Sequence, residues 1–448
     1  MHVNQVSTKP IVVIGLGKSG YSAAQFLLSQ GNSVIAMDTR EQAPYKSTLL
    51  DKFPAVKIIE GKLDETVLLS ASKIVLSPGV AQSHPAIQAA VKNGISLVSD
   101  IQIFAESVDK PIIAITGSNA KSTVTTLVGD MAKACGLNAA VGGNLGQPAL
   151  DLIAPDVDVY ILELSSFQLE TTHSLNAKVA TVLNVSPDHL DRYDSFEHYY
   201  KTKYNIFNGC QKAVINLDDP LSQPAPLNCP QQASFSVSQQ NQADFTLIEH
   251  NGSPYLAFNG EPILSVSQLK IKGTHNYCNA LAALAIGFSA EFPMQHMIKA
   301  LTEFPGLDHR CQWVAHHNGI DFINDSKGTN VGATLAALQG LGPEYAGKIV
   351  LMLGGEGKGA DFSLLTDDVQ RYVSHVIAYG ADKQKIAQAL ADVCDLQQAQ
   401  SFDDAFNLAV NAASKNGAVL LSPACASFDM FNGFEARGNA FISKVRAL

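Results

Sequence analysis

Short apolar runs rich in Ile and Val alternate with amphipathic helical patterns along this chain of 448 residues. Such alternation is typical of parallel sheets built from strand–helix–strand units. Residues 11–14 precede a helical pattern over 22–30, and residues 111–115 lead to a second helix whose apolar residues recur every three or four positions. The pattern therefore predicts an α/β protein in which the loops at the carboxyl ends of strands form the functional sites.

Composition supports several domains and argues against some classes of function. A length of 448 residues corresponds to about three domains. The formal net charge of −10 argues against a nucleic-acid or anionic-membrane binder, which needs an exposed basic surface. The seven cysteines include no Cys-x-x-Cys pair, which favours a reducing cytoplasm over a disulfide framework or zinc site. No apolar run approaches the roughly 20 residues that span a bilayer, and the first apolar run is interpreted as a strand, not a signal peptide.

The first strand is followed by a glycine-rich turn, residues 15–20 (GLGKSG), which opens a helix. Asp38 lies at the end of the next strand, and Arg40 follows it. Glycines allow the backbone to approach a diphosphate at a helix N-terminus, and an acid at this distance suits a ribose hydroxyl. The motif favours nucleotide binding over a tight turn without a ligand, but it does not identify the nucleotide.

Residues 117–123 (GSNAKST) form a more specific signal between a strand and a helix. The backbone N–H groups of such a turn bind phosphates, Lys121 can reach the β- and γ-phosphates, and Ser122 can ligate Mg²⁺. Ala120 stands where a P-loop has Gly before the Lys. Because a Cβ disfavours the left-handed region, we expect this alanine to keep a negative φ. The alternative is an ordinary helix start with a side-chain cap.

Three further residues carry candidate chemistry. Glu163 lies in the apolar run 157–164, where a carboxylate is unfavourable unless it is paired, hydrogen-bonded or bound to a metal, so it is a candidate Mg²⁺ ligand. His189 lies in a polar loop after a strand and is either a metal ligand or a surface imidazole. Lys203 shares the apolar face of a helix predicted over 195–207. This position predicts a reactive amine with a lowered pKa, unless the side chain extends its ammonium group to solvent.

The last third of the chain contains three more polar loops at strand ends. Asp325 and Lys327 follow one strand, Lys358 lies in a second glycine turn, and residues 422–428 follow the last clear strand. Because the carboxyl ends of parallel strands meet at one edge of a sheet, these loops predict a binding rim.

These patterns divide the chain into three α/β domains, over residues 1–99, 100–306 and 307–448. We expect a Rossmann-like N-terminal domain, a central P-loop-type ATPase domain with a parallel sheet, and a Rossmann-like C-terminal domain. Residues 218–268 contain short alternating runs rich in Gln, Pro, Ser and Asn, which predicts a small antiparallel part in the central domain.

Together the motifs resemble those of the Mur ligases, the ATP-dependent amide-forming enzymes of peptidoglycan synthesis. The resemblance extends in order over nearly the whole chain, with Ala120 as the one departure, since Gly is usual there. Its matching stretches are GLGKSG with DTR at 38–40, LSPGV at 76–80, GSNAKST at 117–123, GGNLG at 142–146, LELSSFQLE at 162–170, NVSPDHLDRY at 184–193, GTHNYCNALAALA at 273–285, GLDHR at 306–310, INDSKGTNVGAT at 323–334, LGGEGKGADFS at 353–363 and LLSPACASFDMFNGFEARG at 420–438.

The resemblance implies an activity, and we state it as an expectation. The chain would join D-glutamate to UDP-N-acetylmuramoyl-L-alanine, using ATP and passing through an acyl phosphate, in a cytoplasmic step of peptidoglycan precursor synthesis. Two Mg²⁺ ions and a carbamylated Lys203 are also implied, with closure of the third domain completing the site. A monomer without a membrane span or a nucleic-acid partner is expected.

The candidate site residues, taken from the motifs and the resemblance, fall into four groups. For the UDP-linked substrate they are Lys18, Ser19, Asp38, Thr39, Arg40, Gly79, Asn144 and His189. For ATP they are Gly117, Ser118, Asn119, Ala120, Lys121, Ser122, Thr123, Asn276, Arg310 and Asp325. For the amino acid they are Thr329, Lys358, Ser427, Phe428 and Phe434. The candidate metal ligands are Ser122, Glu163, His189 and Lys203, and the candidate catalytic residues are Lys121, His189 and Lys203.

Other functions remain open from the residues alone. An NAD-dependent oxidoreductase would account for the first glycine turn and Asp38, but not for residues 117–123 or Glu163. A non-catalytic nucleotide sensor would use both glycine turns without turnover. Within the family, a ligase that adds a different amino acid is the nearest competitor, because spacing alone does not fix the amino acid.

Overall fold

The computed structural model describes residues 9–227, 229, 231–238, 240–271, 273–345 and 348–448. Within them, three separate sheets flanked by helices form three α/β domains in order along the chain. The first eight residues of the predicted first domain, and three positions of the predicted antiparallel part, lie outside the described residues. The predicted fold class is confirmed, while the boundaries between the domains stay a prediction.

The N-terminal sheet consists of short parallel strands. They are β1 (Ile11–Ile14), β2 (Val34–Met37), β3 (Lys57–Ile59), β4 (Lys73–Leu76) and β5 (Ser96–Val98). Their order is β3-β2-β1-β4-β5, so the chain reverses direction across the sheet beside β1, where ligands bind in such folds. The helices are α1 (Lys18–Ser29), α2 (Lys46–Lys52), α3 (Glu65–Ser70) and α4 (Pro85–Lys92). Helix α1 begins earlier than predicted, inside the glycine turn itself.

Helix α5 (Asp100–Ser107) connects the first two domains through apolar packing. Its Phe104 packs edge-on against Tyr160 of the central domain, with ring centroids 5.0 Å apart. One continuous apolar cluster contains buried residues of both domains, among them Val13 and Leu162. This shared core fixes the N-terminal sheet relative to the central sheet.

The central sheet is mixed. Its strands are β6 (Ile112–Thr116), β7 (Ala139–Gly143), β8 (Val159–Glu163), β9 (Val179–Val182), β10 (Lys212–Asn216), β11 (Gln231–Ser236), β12 (Phe245–His250), β13 (Ser253–Phe258) and β14 (Glu261–Ser265). Their order is β14-β13-β12-β11-β10-β9-β6-β8-β7, parallel from β7 to β12 and antiparallel from β12 to β14. The predicted antiparallel part is therefore an extension of the same sheet.

Helices cover both faces of this sheet. They are α6 (Lys121–Ala134), α7 (Ser166–Leu169), α8 (Phe196–Lys203), α9 (Thr274–Ser289) and α10 (Met294–Glu303), with short 3-10 segments at Ala149–Leu152, Tyr204–Phe207, Pro220–Ser222 and Val266–Gln268. The helix predicted over 195–207 is α-helical only to Lys203 and then tightens into a 3-10 turn. Among the described residues, no helix combines the length and apolar character needed to cross a membrane.

The C-terminal sheet is parallel except at one edge. Its strands are β15 (Gln312–His317), β16 (Ile320–Asn324), β17 (Ile349–Gly354), β18 (Val373–Tyr379), β19 (Asp395–Gln398) and β20 (Gly417–Leu421). Their order is β15-β16-β20-β17-β18-β19, with β15 antiparallel to β16. The helices are α11 (Val331–Tyr345), α12 (Thr366–Tyr372), α13 (Lys383–Leu390), α14 (Phe402–Ala412) and α15 (Phe434–Arg446), with a 3-10 segment at Phe362–Leu365. The apolar clusters of this domain draw only on residues 311–445 of the described chain.

Arg437 of α15 fixes the three loops at the carboxyl ends of β16, β17 and β20. Its guanidinium group is fully buried and donates to the carbonyl oxygens of Ser326 at 2.9 Å, Cys425 at 3.0 Å and Gly354 at 3.3 Å. The Nε–H group donates to the hydroxyl of Ser326 at 3.0 Å. A cation without solvent is tolerable here because its N–H groups have acceptors.

We expect Arg437→Met to lower the free energy of unfolding by roughly 3 kcal/mol or more, because several buried carbonyl groups lose their donor. Urea unfolding followed by circular dichroism measures the change. Arg446→Met, at the exposed end of the same helix, is the matched control and should stay within about 0.5 kcal/mol of the parent protein. Equal stability of the two variants would show that the buried contacts are not needed.

Candidate active site

Two cavities lie beside the turn 117–120 that joins β6 to α6. The central cavity, of about 510 Å³, is lined by residues 118–122 and Glu163 of the central domain and by Lys358 and Ser427 of the C-terminal domain, among others. The adjoining cavity, of about 180 Å³, lies between α6, α9 and α11. Residues 119–120 and Arg310 border both, so the two cavities meet at the turn.

Lys121, the first residue of α6, folds back onto the turn. Its Nζ donates to the carbonyl oxygens of Gly117 and Ser118, both at 2.8 Å. Burial lowers the pKa of Lys121, and the carboxylates of Glu163 and Asp188 partly oppose this effect. The ammonium group is therefore held against the backbone of the turn.

The expectation that Ala120 keeps a negative φ is wrong. Its φ is +65° and its ψ is −7°, which is the left-handed region, at the N-cap of α6. A Cβ in this region costs roughly 1–2 kcal/mol. The preceding turn is held by Asn184, whose Oδ1 accepts from the N–H of Asn119 at 2.8 Å and whose carbonyl accepts from that of Ser118 at 2.9 Å. The backbone path from β6 to α6 thus sets the φ of Ala120 against the preference of alanine for negative values.

Lys203 lies on the buried face of α8, as the spacing predicts, with 2 % of its surface exposed. Its Nζ donates to the carbonyl oxygen of Gly117 at 3.1 Å, the same acceptor that Lys121 uses, and lies 4.6 Å from the ring centroid of Tyr199. Burial, together with the charge of Lys121, lowers the pKa of Lys203 well below its ordinary value. The lowered pKa favours the neutral, nucleophilic amine more than it is favoured in an exposed lysine.

Glu163 ends strand β8 and is buried, with 3 % of its surface exposed. Strand register pairs it with Gly143, which places Asn144 beside it, and Nδ2 of Asn144 donates to Oε1 at 2.7 Å. Oε2 of Glu163 is buried and has no hydrogen-bond partner among the described residues. A carboxylate oxygen in this state fits a hard cation such as Mg²⁺.

The four candidate metal ligands all border the central cavity, but they are not arranged as one recognisable metal site. In the described ranges no group of three or more His, Cys, Asp or Glu residues is placed to hold a metal ion. Ser122 accepts a hydrogen bond from Nη2 of Arg310 at 2.9 Å. The metal assignments therefore stay a prediction, supported at Glu163 by its unpartnered oxygen.

His189 presents a neutral imidazole to the central cavity. Burial and the charges of the nearby lysines together lower its pKa to about 4, although the charge of Asp188 opposes them. Its ring packs edge-on against Phe167, with centroids 4.8 Å apart. An uncharged imidazole is the form that ligates metals or accepts a proton.

Asp188 is a functional candidate that the motif analysis did not select. Its carboxylate accepts from Nζ of Lys358 at 2.8 Å and from Nδ2 of Asn330 at 3.0 Å, both in the C-terminal domain. Although burial raises its pKa, His189, Lys358 and Asn330 together lower it to about 2. The sequence did contain one signal for Asp188, because this residue directly precedes His189 in a stretch that resembles the Mur ligases.

The residues predicted to bind the amino acid lie together on the C-terminal side of the central cavity. They are Thr329, Lys358, Ser427, Phe428 and Phe434. Lys327 lies among them with its Nζ 3.6 Å from the ring centroid of Phe434, and burial lowers its pKa to about 8. Phe428 is 72 % exposed, so this side of the cavity has a solvent-facing aromatic edge.

Most residues predicted for ATP border one or both cavities. Thr123, Asn276 and Asp325 line the adjoining cavity, whereas Ser118, Lys121 and Ser122 line the central one. Gly117 lines neither and contributes its carbonyl oxygen instead.

Asp325 is buried, with 7 % of its surface exposed. It accepts from the hydroxyl of Ser422 at 2.7 Å and from the N–H of Cys311 at 3.1 Å. Burial raises its pKa to about 6. Its carboxyl group therefore also stabilises the loops that surround it.

The N-terminal cavity, of about 490 Å³, contains the residues predicted for the UDP-linked substrate. They are Lys18, Ser19, Asp38, Thr39, Arg40, Gly79 and Asn144. His189, predicted with this group, borders the central cavity instead. Asn144 lines both cavities and marks the passage between them.

Asp38 is buried, and its carboxylate is already bound within its own domain. It accepts from the N–H of Leu16 at 2.7 Å and from Nε and Nη2 of Arg40 at 2.8 and 2.6 Å. The side chain of Arg40 remains 51 % exposed, so it presents positive charge to the cavity. Across the opening, Nζ of Lys18 donates to the carbonyl of Gly146 at 2.6 Å.

Three protein-family models match along the chain. The Mur ligase MurD-like N-terminal domain matches residues 9–99, the Mur ligase middle domain matches residues 115–287, and the Mur ligase glutamate ligase domain matches residues 309–425. The chain belongs to the Mur ligase family. The resemblance seen in the motifs is thereby confirmed.

Individual relatives cover this Mur ligase almost completely. A UDP-N-acetylmuramoylalanine–D-glutamate ligase of Pseudomonas putida is 49% identical over 437 residues, which is 98% of this chain and 97% of that protein. The enzyme of the same name from Pseudomonas syringae pv. tomato is 49% identical over 446 residues, 99% of each chain. Among solved structures, a pseudomurein peptide ligase type C from Methanothermus fervidus matches with a TM-score of 0.64 at 20% identity, over 98% of this chain and 100% of that one, which supports the fold.

In this Mur ligase, Lys327 should make stability depend on pH. Its pKa of about 8 lies below the ordinary 10.5, so unfolding takes up a proton between these values. Below pH 8, the folded protein bears the full free-energy cost of keeping Lys327 protonated. This cost is lost as the pH rises toward 10.5. Relative to that of Lys327→Met, the free energy of unfolding of the parent protein should therefore rise by on the order of 2 kcal/mol between pH 7 and 10.

Urea unfolding of both proteins across this pH range measures the difference. Lys415→Met, on the surface of the same domain, is the matched control. A difference between the parent and Lys327→Met that does not change with pH would contradict the prediction.

Proposed function

We propose that this Mur ligase joins D-glutamate to UDP-N-acetylmuramoyl-L-alanine, with ATP converted to ADP and phosphate. Relatives with this name, about half identical over nearly the full length, support the choice of substrates. We also propose that the chain acts as a monomer in the cytoplasm, a reducing compartment that suits seven cysteines without a Cys-x-x-Cys pair. The reaction then supplies a precursor for peptidoglycan synthesis.

The observation that carries this proposal is the arrangement of the three domains around connected cavities. Asn144 borders both the N-terminal and the central cavity, so a nucleotide-linked substrate held by Lys18 and Arg40 can extend its carboxyl end to the turn 118–122. The amino-acid side, at Lys358, faces the same turn from the C-terminal domain. Three substrates therefore have three separate entries to one reaction centre.

The main obstacle to the reaction is electrostatic, since a polyphosphate and a carboxylate must come together. Five cationic side chains border the central cavity, whereas its carboxylates among the described residues are Glu163, Asp188 and the exposed Glu435. The cationic residues are Lys121, Lys203, Arg310, Lys327 and Lys358. In a partly buried cavity such charges act more strongly than in water, and they are fixed before the reaction starts.

The proposed chemistry has two steps. The γ-phosphoryl group of ATP passes to the alanyl carboxylate, which gives ADP and an acyl phosphate. The amino nitrogen of D-glutamate then attacks the acyl carbon, the new C–N bond forms as the C–O bond to phosphate breaks, and the nitrogen loses a proton. In both steps the turn 118–122 and Lys121 hold phosphate oxygens, while Lys358 and Ser427 orient the carboxylates of the amino acid.

We assign Mg²⁺ ions to Glu163 with Ser122, and to His189 with Lys203. The ions, when bound, would neutralise charge between the phosphates and the carboxylate. The unpartnered Oε2 of Glu163 and the neutral imidazole of His189 fit such ions.

An amine with a lowered pKa can add CO₂, so that an N–C bond forms and a proton leaves. The product is a carbamate whose oxygens bind cations. We propose this modification for Lys203 because it is buried and shares an acceptor with the charged Lys121.

The activity is tested by phosphate release from ATP and Mg²⁺ in the presence of UDP-N-acetylmuramoyl-L-alanine. We expect release that depends on D-glutamate and not on L-glutamate, with a product heavier by one glutamyl residue. Release with another amino acid in a panel would keep the reaction and change its specificity. Failure of every amino acid would favour a nucleotide sensor, and tight binding of NAD would favour an oxidoreductase.

We expect Lys203→Ala to lower turnover by about 100-fold, because the site loses its proposed carbamate. Binding of UDP-N-acetylmuramoyl-L-alanine, measured by calorimetry, should be almost unchanged, since Lys203 does not border the N-terminal cavity. Lys201→Ala, which removes an exposed lysine from the same helix, is the matched control. Full activity of the parent enzyme in CO₂-depleted buffer would overturn the carbamate assignment.

A further inference from the structure

Arg192 lies between the N-terminal and central cavities, and in the described part of the chain it lines neither of them. Its side chain is 19 % exposed, and it belongs to the loop that carries His189. None of the assignments above uses it. Its contacts nevertheless reach both cavities.

On one side, Arg192 holds the loop 77–80 of the N-terminal domain. Its Nη1 donates to the carbonyl oxygen of Pro78 at 3.3 Å, and its Nη2 donates to that of Val80 at 3.1 Å. Both residues border the N-terminal cavity, together with Gly79 between them. The guanidinium group therefore supports the backbone of the UDP-binding loop from behind.

On the other side, Arg192 is fixed within the central domain. Its Nη2 also donates to Oε2 of Glu170 at 3.3 Å, and Glu170 is only 4 % exposed. The guanidinium carbon lies 4.7 Å from the ring centroid of Phe167, which borders the central cavity. The backbone N–H of Arg192 donates to the carbonyl of His189 at 2.9 Å.

We propose that Arg192 is a positioning residue that aligns the UDP-binding loop of the N-terminal domain with the reacting loop of the central domain. The inference rests on the proposed function, because it assumes that the N-terminal cavity holds the UDP-linked substrate. Arg192 touches no substrate; it acts through Pro78 and Val80. Its effect should therefore fall on the UDP-linked substrate and spare ATP.

The geometry requires arginine in particular. Its planar fork presents several N–H groups in fixed directions, which here reach two carbonyls and one carboxylate while the flat face packs on Phe167. A lysine keeps the charge but is a point donor without this fork. Arg192→Lys should therefore recover only part of the function that Arg192→Gln loses.

For Arg192→Gln we expect the KM for UDP-N-acetylmuramoyl-L-alanine to rise about tenfold, since charge-assisted contacts to the loop are lost. The KM for ATP should stay within about twofold, because the turn 117–123 has no contact with Arg192. Calorimetric titration without ATP should show the same weakening for UDP-N-acetylmuramoyl-L-alanine and for UDP alone. Arg192→Lys should lie between the two proteins in both measurements.

Two variants control for loss of folding. Glu170→Gln keeps the guanidinium group but removes its carboxylate partner, and it should raise the same KM by a smaller factor. Arg371→Gln removes an exposed arginine of the C-terminal domain and should leave both KM values unchanged. If Arg192→Gln does not fold, Arg192→Lys and Glu170→Gln carry the test.

The outcomes separate this inference from the proposed function. An unchanged KM for the UDP-linked substrate in Arg192→Gln and Glu170→Gln would overturn the role of Arg192. So would a loss of kcat that follows the loss of folded protein while both KM values stay constant. If the parent protein itself binds neither UDP nor UDP-N-acetylmuramoyl-L-alanine, the proposed function fails instead.

Discussion

The carbonyl oxygen of Gly117 accepts hydrogen bonds from both Lys121 and Lys203, and the architecture of the site depends on this contact. It brings two cations from different helices to one point at the strand end. Burial lowers the pKa of both lysines, and the charge of Lys121 lowers that of Lys203 further. Under the proposed function, Lys121 holds phosphate and Lys203 supplies the nucleophilic amine. The left-handed Ala120 follows in the same turn and is the N-cap of α6.

Apolar packing joins the N-terminal and central domains through one shared cluster, whereas the C-terminal domain has clusters of its own. The first two domains share one apolar cluster, so their relative movement would expose buried surface to water. The C-terminal domain has its own clusters and meets the central domain where α11 packs beside α9 and through polar pairs, such as Arg310 with Ser122 and Lys358 with Asp188. Polar pairs of this kind can be replaced by contacts with water or substrate. Closure of the C-terminal domain, which the family resemblance implies, would exchange these pairs, and it stays a prediction.

Local pattern predicted the buried strands, the glycine turns and the inward face of α8, because burial on one side or both leaves a clear period in the sequence. Edge strands such as β15 and β19 are half exposed and polar, so they leave no such trace. The φ of Ala120 could not be inferred from residue preference, since the neighbouring chain at Asn184 sets it. The same holds for Asp188, whose partner Lys358 lies 170 positions away. The periodicity of the sequence thus could not predict the contacts between domains that complete the site.

The ion pair between Lys358 and Asp188 has a consequence for ligand affinity. A ligand carboxylate that binds Lys358 competes with a carboxylate of the protein for the same ammonium group. The electrostatic gain on binding is then the difference between two similar contacts, not the full strength of one. Simple carboxylate analogues of the amino acid therefore gain little binding free energy from the contact with Lys358. Groups that offer more negative charge or a second donor–acceptor contact, such as phosphonates, compete more effectively with Asp188 for the ammonium group of Lys358.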